Sequence, residues 1–461
     1  MFVAGNCEKT MRIALITAGA GGMYCGQCLQ GNTLAAALRK IGEEVFLVPA
    51  YTPLRTDEED VSLDHVILGG VDVYLHQQLP VCRWLPSPLV RALDSPRLLR
   101  WVSKRTAATN PARLGPLAVS MLRGDQSSQR RVVETAVRWL GRAVRPDVVY
   151  LSTVLLAGMA GAIGRQLRVP VVGGLAGEDF FIQQLGEPYR DLARQELCRR
   201  AGELDALVAP SRYYAQRMAD FLNLPLERIR VVPPGLNLDG HAPLAEASQR
   251  SRQAASKRIG FLGRIAPEKG LHLLAEALDM LRDRFGQQVE LVAAGYLGPA
   301  ERLYLAGIER WLAERRLSGQ WRYLGPVDRS EKIAFLQSLD VLCVPSVHPE
   351  VRGLPALEAW ANGVPVVAAN LGALAEMLAE TGGGLLFRAH DVADLAQSVT
   401  RLLEDAHLAA TCARQGQAAV HTQYHAKRMA EQMRAVFHSV LEAPSPPAAP
   451  REPSVFEPGP P

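Results

Sequence analysis

The chain has 461 residues, 48% of them hydrophobic and 21% charged, with 51 Lys+Arg against 47 Asp+Glu and a formal net charge of +4. That length fits two or three domains, and the composition is too apolar for a disordered chain. So small a net charge excludes a globally basic nucleic-acid binder, and seven scattered cysteines make no disulfide framework, so a reducing, cytoplasmic setting is expected.

Residues 1–10 read as a frayed leader without the basic start, apolar run and cleavage site of a signal peptide. Segment 12–18 is a short, nearly continuous apolar run, as in a strand buried on both faces. A glycine loop follows (Gly19, Gly21, Gly22), then a helix over about Thr33–Ile41. Asn32 or Thr33 is placed to start it and Gly42 to end it. With the strand Val45–Val48 this makes a βαβ unit with parallel strands. The uncharged run Val148–Gly164 divides into a strand and a short helix rather than a membrane span.

The alternation recurs with shorter connections in the second half. Strands are expected at 259–262, 289–293, 323–324, 341–344, 364–368 and 385–387, and helices near 271–284, 301–316, 331–338, 355–362, 372–379 and 392–404. Asp391 is a good helix cap, with Asp394 at the capping-box position. The fold class is therefore α/β, with two doubly wound Rossmann-like domains. They span 11–235 and 258–425, joined by a polar linker at 236–257. A helix at 426–442 and a Pro-rich disordered tail at 443–461 complete the chain.

The first glycine loop opposes a dinucleotide reading. Tyr24 stands where G-x-G-x-x-G needs its third glycine, and the second strand ends in Pro49-Ala50-Tyr51 with no acid for a ribose. Cys25-Gly-Gln-Cys28 has metal-ligand spacing but no second pair. His421 and His425, four apart on a terminal helix, read as surface residues, and Asp57-Glu-Glu-Asp60 as a solvated polar loop.

The second half carries more chemistry. Strand 259–262 runs into Gly263-Arg264-Ile-Ala-Pro-Glu-Lys269-Gly270, two cations on a loop where α/β sheets bind ligands. Strand 341–344 leads to Glu350-Val-Arg352-Gly353-Leu354-Pro-Ala-Leu-Glu358. Pro355 suits a first helical turn, which Glu358 is expected to share, and backbone amides of 352–356 converge there as for a phosphate. Glu350 and Glu358 can each accept hydroxyl hydrogen bonds, as sugar rings flanking a diphosphate require.

These motifs, with Gly363-Val-Pro-Val-Val-Ala, Gly372-Ala-Leu-Ala-Glu376, Pro210-Ser211, Val231-Val-Pro-Pro-Gly-Leu-Asn237 and Leu324-Gly-Pro-Val327, resemble the retaining glycosyltransferases of the GT-B fold, family 4 type (glycosyl transferases group 1). The resemblance spans nearly the whole chain and is strongest over 205–390. It implies two Rossmann-like domains facing each other across a cleft. It implies Arg264 and Lys269 on the donor diphosphate, Glu358 on the ribose and Glu350 on the donor sugar. Gly353 and Leu354 would offer amides, the Gly21–Gly22 loop would close over the donor, and Gly263 and Arg352 would belong to the same surface. Catalysis would rest on Arg264, Lys269 and Glu350, with no metal and no cofactor beyond a UDP-, GDP- or ADP-sugar as substrate. Acceptors implied are a glycan, a lipid-linked molecule or a small molecule.

Departures concern Arg352, where the family often has an aromatic residue, and Pro234, where it usually has Asn. In place of the family's frequent His, the first domain offers Glu178 and Asp179, candidates to orient the acceptor or to cap a helix. A non-catalytic sugar-nucleotide or glycan-binding protein on the same fold is the alternative reading.

The small net charge conceals a block. Between Arg83 and Arg145 thirteen basic residues face three acids, a local +10 that leaves −6 for the remainder. Trp84, Trp101 and Trp139 lie within it, which suits an anionic membrane surface and peripheral attachment; a solvated Arg-rich insertion is the alternative.

Overall fold

The computed structural model describes residues 10–19, 26–68, 114–242 and 256–443. Within them two six-stranded sheets form, each all-parallel. The first runs β2 (Glu44–Pro49), β1 (Arg12–Thr17), β3 (Val148–Leu151), β4 (Val171–Gly174), β5 (Ala206–Ala209), β6 (Ile229–Val231). The second runs β12 (Gly384–Phe387), β11 (Val366–Ala369), β10 (Val341–Val344), β7 (Lys257–Leu262), β8 (Val289–Ala294), β9 (Trp321–Tyr323). Strand order reverses between β1 and β3 and between β7 and β10, so each sheet opens a ligand crevice at those carboxyl ends.

Helices in the first unit are α1 (Gly26–Lys40), α2 (Gly115–Arg123), α3 (Arg130–Trp139), α4 (Ala160–Gln166), α5 (Glu178–Gln183), α6 (Tyr189–Gly202) and α7 (Arg212–Leu222). In the second they are α8 (Leu271–Phe285), α9 (Arg302–Glu314), α10 (Arg329–Gln337), α11 (Leu354–Ala361), α12 (Gly372–Thr381), α13 (Val392–Glu404) and α14 (Ala406–Thr422), followed by α15 (Ala426–Glu442).

Helices on both faces explain the unbroken apolar strands. Ile13, Leu15 and Val148 point into one core while Ala14, Ile16 and Val149 point into another. In the second sheet Ile259, Phe261 and Cys343 divide in the same way from Leu262, Leu342 and Val344. Helix α15 lays Met429, Met433 and Phe437 into the first unit's core beside Leu34 and Leu38. Its approach is fixed by Leu236, whose N–H donates to the Tyr424 carbonyl at 2.7 Å and whose carbonyl accepts from Ala426 N at 2.9 Å.

Four sequence expectations need correction. Helix α1 starts seven residues before Thr33, because Cys28 and Leu34 gain burial in the core and outweigh the poor helix propensity of Gly26 and Gly31. Asn32 therefore caps nothing: its amide Nδ2 donates to the Glu59 carbonyl at 2.8 Å and its Oδ1 accepts from Val61 N at 3.0 Å. Asp391 does cap α13, but Asp394 bonds Arg388 N at 2.7 Å instead of closing the box. The reciprocal box heads α10, between Asp328 and Glu331. His421 and His425 do not share a helix: His421 ends α14 and His425 caps α15, both half-buried beside a cavity of about 440 Å³.

The run Val148–Gly164 divides into β3, a 3₁₀ segment Val154–Met159 and the start of α4. Among the described residues no helix is long and apolar enough to cross a membrane. Residues 1–9, the Gly21–Gly22 loop with Cys25, positions 83–113 of the basic block, linker positions 243–255 and tail residues 444–461 lie outside the described residues.

Candidate active site

The loops after β7 and β10 meet back to back. Gly270 holds a positive φ of 75°, and a Cβ there would lie 1.9 Å from the Pro345 carbonyl oxygen, so only glycine allows the approach. Val347 N donates to the Glu268 carbonyl at 3.0 Å and completes the join. Lys269 Nζ thereby reaches Glu350 Oε1 at 2.6 Å, and Ser346 Oγ donates to the same oxygen at 2.6 Å. Burial pushes the Glu350 carboxyl up, but Lys269 and Ser346 more than offset it and leave its pKa below the ordinary value. Glu350 is also fixed through its backbone, its carbonyl accepting from Ala373 N at 2.9 Å. An ammonium has three N–H donors, so Lys269 keeps capacity for a ligand while bonded to Glu350.

Arg264 is half exposed and pairs with Glu268 and, at 3.4 Å, with Glu301. Gly353, at φ 63°, turns the chain into α11; a Cβ there would sit 2.9 Å from Met377 Sδ. Gly353 and Leu354 line the cleft at the start of α11, with Leu354 against Gly26 of α1; Pro355 has no N–H, and the Ala356 amide already donates to the Gly353 carbonyl at 3.0 Å. Glu358 is the fifth residue of α11, one turn deeper than expected, and is buried.

The polar loop 57–60 is not simply solvated. Asp57 and Glu358 both pair with the buried Lys332 of α10, joining the two units. Burial lowers the Lys332 pKa, yet Glu358 and Asp57 overcome this and raise it above the ordinary value. Glu58 accepts from Thr33 Oγ1 at 2.9 Å and lies 3.4 Å from Arg329, while Glu59 and Asp60 are exposed. A third joint has Glu376 accepting the Arg212 and Tyr213 amides, at 3.1 and 2.7 Å, at the N-terminus of α7. Sequence reasoning missed Lys332, Ser346 and Asp57. Ser346 follows a buried strand into the loop, which was the available signal, whereas the partners of Lys332 are too distant in sequence to be read.

A cleft of about 640 Å³ lies between the units, lined by Gly263, Arg264, Lys269, Glu350, Arg352, Gly353, Leu354 and Glu358 on one side. Gln27, Arg55, Asp57, Ala176, Gly177 and Phe180 line the other. Glu178 and Asp179 stand behind this wall at the start of α5. Glu178 accepts from Thr153 Oγ1 (2.5 Å) and from the Ala176 and Gly177 amides (2.7 and 3.1 Å). Asp179 is held by Tyr214 OH at 2.7 Å and Arg217 Nε at 2.5 Å. Burial pushes the Glu178 carboxyl up. Among the described residues no group of three or more His, Cys, Asp or Glu is placed to hold a metal ion; Cys28 is buried on α1.

Two facing Rossmann-like units thus enclose a cleft lined by cationic and carboxylate side chains from loops at their strand ends. The glycosyl transferases group 1 model matches residues 246–419, and the glycosyltransferase family 4 model matches 113–239. A D-inositol 3-phosphate glycosyltransferase of Salinispora arenicola is 32% identical over 229 residues, 46% of this chain and 50% of that protein. The chain spans about half the length of the curated relatives it matches. Sucrose-phosphate synthase from Thermosynechococcus elongatus superposes with a TM-score of 0.66 at 19% identity, covering 93% of this chain and 98% of that one. Anabaena HepE, solved in complex with UDP, gives 0.64 at 19% identity, covering 93% and 100%. At those identities the structural likeness speaks for fold alone. Residues 246–419 thus match the glycosyl transferases group 1 and residues 113–239 glycosyltransferase family 4, on the fold of the GT-B glycosyltransferases.

Proposed function

We propose that the protein is a configuration-retaining glycosyltransferase that moves a sugar from a nucleoside-diphosphate donor to a hydroxyl-bearing acceptor. The observation that carries this reading is the convergence of Lys269, Glu350, Glu358 and the N-terminus of α11 on one cleft. Arg264 and Lys269 would hold the diphosphate and stabilise the charge that develops as the glycosidic C–O bond breaks. Glu350, kept ionised by Lys269, would accept hydrogen bonds from the donor sugar, and Glu358 from the ribose. Gly353 and Leu354 would present backbone amides, with Gly263 giving close access. Attack on the same face lets a leaving-phosphate oxygen take the acceptor proton, so the step balances without a covalent nucleophile or a metal.

UDP is the first nucleotide to test, since the HepE structure holds it; GDP- and ADP-sugars follow. The inositol phosphate named for the relatives makes a polyol phosphate a sensible first acceptor, ahead of glycans and lipid-linked molecules. Glu178 and Asp179 would shape the acceptor wall from behind. Peripheral attachment to an anionic membrane is supported by exposed Arg131, Arg138, Arg142 and Arg145 along α3 and the turn after it. Salt-sensitive co-sedimentation with anionic liposomes tests that attachment, and its absence removes it.

A thermal-shift screen of nucleotide sugars tests the donor assignment. A ligand at 100 times its dissociation constant adds about 2.7 kcal/mol of stability, so the right donor stands out. No shift with any nucleotide sugar would sink the reading. Binding without turnover would favour a non-catalytic sugar-nucleotide-binding protein.

A further inference from the structure

A recess of about 50 Å³ shares Gln27 and Arg352 with the cleft and runs inward between β3, β5 and α15. It is far smaller than the cleft of about 640 Å³, a size for a substituent of a bound molecule rather than for a second ligand. Gln27 donates its amide to the Ser152 carbonyl and, at 3.1 Å, to Ser152 Oγ; Gln30 donates to the Gly235 carbonyl at 3.0 Å. Arg352 and Tyr150 also line the recess, and their side chains make no hydrogen bond or ion pair among the described residues. Burial raises the Tyr150 pKa to about 12, so its hydroxyl stays a donor. The buried carboxylate whose field reaches Arg352, Glu178, is already engaged by Thr153 and two backbone amides. Val351 packs on the first unit's core and brings the 350–352 loop to this wall. A permanently charged fork, a neutral hydroxyl donor and Ser152 Oγ on one recess are suited to hold an oxyanion.

We propose that Arg352 and Tyr150 bind a carboxylate or phosphate substituent of the acceptor, so that the enzyme selects anionic acceptors. This rests on the glycosyltransferase reading. The acceptor is favoured over the donor because, Arg352 apart, the recess is walled by the first unit, Pro234 and α15, while the donor diphosphate has Lys269 and Arg264.

The test compares myo-inositol with inositol 3-phosphate, and glucose with glucuronate, as acceptors for the donor found by thermal shift. Wild type should favour the anionic member of each active pair in kcat/KM. Arg352→Gln should cut that preference about 10–100-fold, chiefly through acceptor KM, as expected for a lost hydrogen bond to a charged group. Tyr150→Phe should cut it less, and Arg352→Lys should restore part of it. A wild type that transfers sugar but favours neutral acceptors overturns the proposal, as does an Arg352→Gln variant, folded by circular dichroism, that keeps the preference. If that variant instead loses discrimination between UDP-glucose and UDP-glucuronate, the anion belongs to the donor and the acceptor assignment falls. A wild type that binds no nucleotide sugar fails earlier and overturns the glycosyltransferase reading itself.

Discussion

Two lysine–glutamate pairs line the second unit's side of the cleft and share little beyond composition. Lys269–Glu350 is local, formed by two loops locked together at Gly270, and Lys269 keeps 32% of its side-chain surface exposed. Lys332–Glu358 is buried, with 10% and 7% exposure, and has a third member, Asp57, from the other unit. An open pair retains unused hydrogen-bonding capacity and can turn toward a ligand. A buried triad contributes little net stability over an apolar replacement, but losing one member leaves uncompensated charge. The first pair thus suits the proposed donor chemistry. The second couples the proposed ribose carboxylate to the relative placement of the two units.

The largest effect should come from the triad's centre. Lys332→Met strands two buried carboxylates and should destabilise the fold by about 3–5 kcal/mol in urea unfolding, whereas Asp57→Asn, which keeps Lys332 paired, should cost markedly less. Equal losses from both would dissolve the distinction between centre and edge. Glu350→Gln should lower turnover about 100-fold while the protein still unfolds near the wild-type midpoint. A wild-type rate would remove Glu350 from the chemistry.

His241 sharpens the contrast through pH. It lies under the triad, with Asn362 Nδ2 2.9 Å from its Nδ1; burial, then Arg329 and Lys332, lower its pKa to about 4. The unfolded chain, titrating near 6.5, binds the extra proton first. Stability is therefore whole above pH 6.5 and is lost as pH falls toward 4, by about 2 kcal/mol at pH 5. His241→Gln should flatten that part of the stability profile, and an unchanged slope would exclude His241 as its source. The smallest effect is expected from Glu358→Ala on nucleotide affinity, about tenfold by thermal shift or calorimetry, since one ribose contact is removed.

The strands and the two loops that line the cleft were legible in the sequence because their signals are local. Val341–Val344 is apolar throughout since both faces are covered, and Gly270 and Gly353 mark turns whose positive φ only short stretches of chain determine. Across-cleft pairing was not legible. Asp57 belongs to a polar run that resembles any solvated loop, and its partner Lys332 stands 275 positions away in the numbering. The start of α1 was hidden for a related reason: Gly26 and Gly31 argue against helix locally, and only burial of Cys28 and Leu34 reverses the balance. That Arg352 shares a recess with Tyr150 and Ser152 was equally invisible, for those residues come from the other unit.

The most direct test of the central claim is the rate at which nucleoside diphosphate is released from the donor that raises the melting temperature, in wild type and in Lys269→Ala. Wild type should release it slowly in water and faster with acceptor, and Lys269→Ala should be at least about 100-fold slower in both cases. Release at the wild-type rate by Lys269→Ala would contradict the account.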